Sequence, residues 1–251
     1  MFLLDAAVTR RREVARQMWV ISLHAPQVAS SVLAGQFVNL SVPVAMLRRP
    51  FSVYRADGDE IEVLLKPVGD GTAWLAAVEP GVAISCLGPL GRGFEIGPGP
   101  EPILLVSGGL GVAPMPLAAQ AARGVQREVV WVHGARSADE LCREWEADRV
   151  VWATDDGSQG VRGTVLDAMP PEPALVLACG PNRMLAGIAD RFPAAQVAIE
   201  THMGCGTGVC LGCAVPLRAG GYDRACREGP VYRAADVDWP SLPSHLHYSV
   251  A

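Results

Sequence analysis

With 251 residues the chain is long for one ordinary domain and short for three full ones, so two domains and a small appendage are expected. Half of the residues are hydrophobic and 19% are charged, which excludes a disordered chain and describes a well-packed one. A formal net charge of -5 speaks against a nucleic-acid partner, and no apolar run approaches the roughly 18 residues that a membrane span needs.

The apolar start Met1-Phe2-Leu3-Leu4 is interrupted by Asp5, and Arg10, Arg11 and Arg12 follow it. That is the wrong order for a signal peptide, so a cytoplasmic chain is expected. Up to about Gly97, short β segments over 16–23, 36–42, 51–55, 61–67 and 82–88 are separated by turn signals, the texture of a small antiparallel barrel. Gly97-Pro98-Gly99-Pro100 and Glu101-Pro102 then break the pattern and mark a boundary, giving a first domain over 1–98.

From Ile103 buried apolar strands over 103–106, 128–132, 150–153 and 174–179 alternate with helical stretches over 114–122, 138–146 and 181–191. Alternation of this kind indicates parallel βαβ units. Pro181 opens the last helix where its missing N–H costs nothing. A final strand over 196–199 is expected to close this second domain, 99–199. The remaining unit, 200–251, carries a cysteine cluster and a tail, 236–251, with Trp239 and two histidines.

Of the seven cysteines, Cys86, Cys142 and Cys179 are scattered, whereas Cys205, Cys210, Cys213 and Cys226 crowd one segment. In a reducing compartment such crowding usually means metal. The C-x4-C-x2-C spacing, with the fourth cysteine beyond, is that of a plant-type [2Fe-2S] site. Gly204, Gly206, Gly208 and Gly212 suit it, because a loop around a cluster must let backbone N–H groups reach sulfur. The alternative is a structural zinc held by four thiolates, although zinc sites favour paired C-x2-C knuckles and need less glycine. Cys86 and Cys142 read as core residues. His24, His133, His202, His245 and His247 show no ligand spacing.

Arg48-Arg49-Pro50-Phe51-Ser52 stands at the start of a barrel strand, and the turn Val68-Gly69-Asp70-Gly71-Thr72 follows. An arginine stiffened by the next proline can clamp a phosphate, and Ser52 can hydrogen-bond a flavin ring. Gly71 and Thr72 would offer N–H groups at a helix start to a pyrophosphate. An ordinary strand start and tight turn would use the same residues. The strand 103–106 runs into Ser107-Gly108-Gly109-Leu110-Gly111-Val112-Ala113-Pro114, a glycine-rich turn that suits a second pyrophosphate but is not the G-x-G-x-x-G fingerprint. Later come Ala153-Thr154-Asp155-Asp156 and Cys179-Gly180-Pro181 with Met184. Asp155 and Asp156 would repel a 2′-phosphate and can accept a ribose hydroxyl, which favours NAD over NADP, although Arg136 lies near enough to complicate the choice.

The order of these motifs resembles the ferredoxin-NADP reductase superfamily, with Arg49-Pro50-Phe51-Ser52 matching its R-x-[YF]-S flavin motif and 108–114 its G-G-[IL]-G-x-A-P loop. Cys179-Gly180-Pro181 and Met184 are similar to its C-G-P-x-x-M element. With the cysteine cluster at the end, residues from about 10 to 230 resemble the electron-transfer subunits of type B dihydroorotate dehydrogenase. The resemblance implies a multi-domain β plus α/β chain: an antiparallel flavin-binding barrel, a parallel-sheet nucleotide-binding domain and a small C-terminal [2Fe-2S] domain. It implies FAD contacts at Arg49, Pro50, Phe51 and Ser52, at the backbone of Leu64, Leu65 and Lys66, and at Gly71 and Thr72. It places NAD at Gly108, Gly109 and Gly111 and beside Cys179, Gly180 and Pro181, with Asp155 and Asp156 facing the ribose. No protein acid or base is called for, and no second substrate motif is visible. The implied partner is an FMN-containing catalytic flavoprotein in a heterotetramer, acting in pyrimidine biosynthesis. Subunits of a sulfhydrogenase or of an NADH-dependent ferredoxin:NADP reductase share these features, and a non-enzymatic iron or zinc sensor is the rival of another class.

Overall fold

The computed structural model describes residues 1–144, 147–171 and 175–243. Its first part is a closed antiparallel barrel in the order β1-β2-β5-β4-β3-β6. The strands are β1 (Phe2–Ala15), β2 (Met18–His24), β3 (Phe37–Leu40), β4 (Arg49–Asp57), β5 (Glu60–Leu65) and β6 (Ala83–Leu90). Two helices interrupt them, α1 (Pro26–Ala29) and α2 (Asp70–Ala77). β1 is a strand that the sequence pattern does not announce. Only Ala6 and Val8 among its side chains are fully buried, so it lacks the period-two apolar signature while still pairing with both β2 and β6.

The second part is a sheet in the order β10-β9-β8-β7-β11-β12-β15. Its parallel strands are β7 (Ile103–Gly108), β8 (Val129–Ala135), β9 (Arg149–Thr154), β10 (Val161–Arg162), β11 (Leu175–Cys179) and β12 (Gln196–Ala198). Helices α3 (Met115–Gly124), α4 (Val165–Ala168) and α5 (Asn182–Arg191) accompany them. Beyond lie the hairpin β13 (Ala214–Pro216) and β14 (Tyr222–Arg224), and then β15 (Val231–Arg233). β12 does not close the sheet as expected: β15 pairs antiparallel with it, Val197 opposite Tyr232, and forms the edge. Pro181 caps α5 rather than opening it.

Alternation along the sheet divides the interior. Ile103 and Leu105 face a core continuous with the barrel and α3, whereas Leu104 and Val106 face a second core shared with α5, Val215, Cys213, Cys226 and Tyr232. The sheet thus packs against the barrel and α3 with one face, and with the other against a core that joins α5 and the cysteine unit to Phe37 and Leu90 of the barrel.

The helix expected over 138–146 does not form. Ala138–Glu140 make one 3-10 turn, the chain then runs without regular structure through Glu144, and residues 145 and 146 lie outside the described residues. Tertiary contacts override the helical pattern. Leu141 and Cys142 are buried, Tyr54 Oη donates to the Glu144 carbonyl at 3.0 Å, and Arg12 bridges Glu62 (2.6 Å) and Glu144 (2.8 Å). Arg55 also donates to the Glu144 carbonyl. This strap, 137–144, ties the parallel sheet to the barrel. Residue 174 of the strand expected over 174–179 and the tail 244–251, with His245 and His247, lie outside the described residues. Among the described residues, no helix is long and apolar enough to cross a membrane.

Candidate cofactor-binding sites

β4 begins at Arg49, and its alternation turns Phe51 and Val53 into the barrel while Pro50 and Ser52 stay half-buried outside. Phe51 is therefore a core side chain and Ser52 the hydroxyl within reach of a ligand. The two arginines separate. Arg48 donates to the Ser85 carbonyl at 2.8 Å and to its hydroxyl at 3.0 Å, underpinning the barrel. Arg49 donates only to the Leu47 carbonyl among the described residues and makes no ion pair there. Its guanidinium lies over the start of α2, where a Cβ added at Gly71 would stand 3.6 Å from Nε and 3.1 Å from Val42. Thr72 Oγ1 accepts from Val68 N (2.8 Å) and Gly69 N (3.2 Å) and so locks the turn rather than facing outward. An unpaired guanidinium over a glycine-lined helix start fits the diphosphate of FAD. The β4–β5 ladder ends at Val53 and Val63, which leaves the β4 side of Leu64, Leu65 and Lys66 backbone without a strand partner. Their leucine side chains are buried in the barrel, and Lys66 Nζ reaches Glu140 of the strap at 3.5 Å.

The nicotinamide motifs meet at the carboxyl ends of neighbouring strands, Ser107 of β7 lying opposite Cys179 of β11. A Cβ at Gly111 would come within 2.1 Å of the Cys179 carbonyl, and one at Gly108 within 2.7 Å of Met184 Sδ. At Gly111, where the neighbour is backbone, only glycine permits that approach. Gly109 has φ +53 with open space before it, and Gly180 has φ +155 against Met184. Two loops distant in sequence thus pack against each other at the carboxyl ends of β7 and β11, with Pro181 exposed beside them. Burial pushes the Cys179 thiol up, with Glu200 adding to the effect. Glu200, just after β12, carries a carboxyl itself raised by burial. Sequence reasoning used it only as a boundary, since nothing but the fold brings it to Cys179.

Asp155 and Asp156 follow β9 on the surface and play different parts. Asp156 Oδ1 accepts from Ser158 Oγ (2.6 Å) and N (2.9 Å), which holds its carboxyl below the usual range and builds the turn, while Asp155 makes only backbone contacts among the described residues. Arg136 is exposed nearby, its carbonyl accepting from Asp156 N.

The cysteines gather two by two. The β13–β14 hairpin pairs Ala214 with Arg224, so Cys213 and Cys226 leave its open end with their sulfurs 3.3 Å apart, both buried. Cys205 Sγ accepts from Thr207 N and from Cys210 N, each at 3.4 Å, and Cys210 Sγ from Gly212 N at 3.4 Å. Burial opposes ionisation of Cys205, but these N–H groups outweigh it and bring the thiol down to about 5. Burial and Cys213 push Cys226 up to about 12. Among the described residues no three such side chains converge on a point as one metal ion requires. Two pairs with N–H groups on sulfur fit a two-iron cluster. Gly206 (φ +68), Gly208 (φ +85) and Leu211 (φ +59) let the loop turn its amides inward, and the turn leaves Cys210, Val209 and Leu211 exposed. A Cβ at Gly204 would touch Leu47, so the apolar loop 43–47, with Met46 fully exposed, borders the same surface.

Residues 200–238 match the family described as the iron-sulfur cluster binding domain of dihydroorotate dehydrogenase B. Over 92% of the chain the sequence is 37% identical to the dihydroorotate dehydrogenase B (NAD(+)) electron transfer subunit of Geobacillus kaustophilus (strain HTA426), of which 96% is covered. The corresponding subunit of Desulforamulus reducens is 34% identical over 94% of this chain and 98% of its own. Among solved structures, one of an NADH-dependent reduced ferredoxin-NADP oxidoreductase superposes with a TM-score of 0.86 at 29% identity, covering 94% of this chain and 91% of that one.

Proposed function

Since the chain belongs to the electron transfer subunits of dihydroorotate dehydrogenase B, NAD-linked oxidoreductases of pyrimidine biosynthesis, we propose that it passes electrons from NADH, through FAD and a [2Fe-2S] cluster, to the FMN of a catalytic subunit. Bound flavin supplies the exchange between hydride transfer and single electrons. The protein's own work is positioning. Arg49 and the α2 start would hold the FAD diphosphate, Ser52 the ring, and the backbone of Leu64, Leu65 and Lys66 its edge. Gly108, Gly109 and Gly111 would admit the NAD pyrophosphate, and Cys179, Gly180 and Pro181 would bound the nicotinamide. Asp155 would favour NADH. Cys205, Cys210, Cys213 and Cys226 would ligate the cluster.

The observation that carries the partner is the exposed Cys210, flanked by Val209, Leu211, Met46 and Leu47: an electron outlet set in an apolar surface. A heterotetramer with the FMN subunit in the cytoplasm accommodates it. The test is turnover with and without that subunit. The isolated chain should reduce artificial dyes with NADH and oxidise no dihydroorotate until the partner is added; dihydroorotate oxidation by this chain alone would refute the division of labour. The structural likeness to a ferredoxin-NADP oxidoreductase favours a second reading, and recovery of a ferredoxin-reductase subunit as the native partner would transfer the assignment to it.

A further inference from the structure

β3 is made of Phe37, Val38, Asn39 and Leu40, and every one of them is buried. Asn39 is the anomaly, a carboxamide 1% exposed among apolar neighbours, where an unsatisfied amide costs free energy. Its Nδ2 donates to the carbonyl of Cys205, 166 positions away, at 3.2 Å. Its Oδ1 is buried with no hydrogen-bond partner among the described residues. A Cβ at Gly206 would stand 1.9 Å from Nδ2, so the ligand loop rests directly on the carboxamide, and φ +68 at Gly206 makes that seat possible. On its other side Asn39 pairs with Pro50 of the flavin motif, and its carbonyl accepts from Arg48 at 3.5 Å. One residue thus joins the strand that carries Arg49 to the loop that carries the first cysteine ligand.

Resting on the proposed electron path, we infer that Asn39 is a positioning residue that seats the Cys205 loop on the flavin strand and thereby sets the separation across which single electrons move. In that step one electron leaves reduced flavin, one ferric iron of the cluster becomes ferrous, and the flavin's proton goes to solvent; NADH supplied the electron pair. The transfer rate falls steeply with distance, so a small displacement of the loop suffices to slow it.

The experiment uses the full chain loaded with FAD and cluster, mixed with NADH in a stopped-flow spectrometer that follows flavin and cluster bleaching separately. A wild-type chain without FAD or acid-labile sulfide would refute the electron path itself, independently of Asn39. In Asn39→Ala the FAD and iron contents and the rate of flavin bleaching should match wild type, while cluster bleaching slows severalfold, as a displaced loop lengthens the electron's path. The g values of the reduced cluster should shift as well, because Thr207 and Cys210 bond to Cys205 from the displaced loop. Should Asn39→Ala fail to fold, Asn39→Asp, of the same shape but without the amide donor, is read by the same measurements. Cluster bleaching within about twofold of wild type with unchanged g values would overturn the inference. So would loss of iron from a chain that keeps FAD, which would confine Asn39 to holding the ligands.

Discussion

Asp155 and Asp156 look interchangeable as letters, yet the turn after β9 consumes one of them. Ser158 donates twice to Asp156 and holds its carboxyl below the usual range, so that carboxylate is committed to the backbone. Asp155→Ala should therefore lower the preference for NADH over NADPH by roughly fivefold, the scale of about 1 kcal/mol for one exposed charge-charge contact, as measured by the ratio of kcat/KM values. Asp156→Ala should act mainly on stability. Arg49→Ala should weaken FAD binding by about thirtyfold, the loss of a charge-assisted contact of on the order of 2 kcal/mol, with cluster absorbance retained. FAD titration of the variant checks it, and unchanged affinity would move the diphosphate elsewhere. Arg49, the loop glycines and the clustered cysteines stand out as candidates in the chain itself because their residue types announce a chemistry. Glu200 and Asn39 do not, since their meaning arises only from contacts with Cys179 and Cys205 made by folding.

The strap 137–144 shows where element-level reading gives way. Its composition favours a helix, but a helix there would withdraw Cys142 from Tyr54, the Glu144 carbonyl from Tyr54 and Arg55, and the Glu144 carboxylate from Arg12 on the barrel. The central strands of the nucleotide sheet, β7, β8 and β11, were by contrast readable to within three residues, because they are buried and continuously apolar, whereas the short edge strands β10 and β15 gave no such signal. Arg12→Ala leaves Glu62 and Glu144 facing each other without their cation. It should lower stability by about 2 kcal/mol, seen as a reduced unfolding temperature, while FAD contacts stay intact. Burial resists the charge on Glu62, but Arg12 outweighs it and holds the carboxyl below its ordinary range. A lowered folded value means that this pair stabilises fully above the ordinary carboxylate range and loses its contribution as pH falls through the lowered value. The acid side of a melting-temperature profile should consequently be flatter in Glu62→Gln than in wild type.

At the scale of the whole molecule, barrel, nucleotide sheet and cysteine unit were legible in their order, while their mutual packing was not, because it depends on alternate faces of one sheet serving two cores. The apolar rim around Cys210 is the outward expression of that packing. Met46→Glu should weaken assembly with the catalytic subunit by about tenfold to a hundredfold in Kd and leave NADH-driven dye reduction unchanged, as titration of the purified subunits would reveal. β15 carries a consequence of another kind. The cysteine unit departs from β12 and returns through β15 into the same sheet, with Arg92 N donating to the Gly229 carbonyl on the way. Topologically it is an insertion between two neighbouring strands, so it cannot be shed by shortening the chain without stripping an edge from the nucleotide sheet. Exchange of this unit among relatives, by evolution or by engineering, would have to be a transplant with two joints, and the nearness of those joints in β12 and β15 makes such a graft geometrically simple.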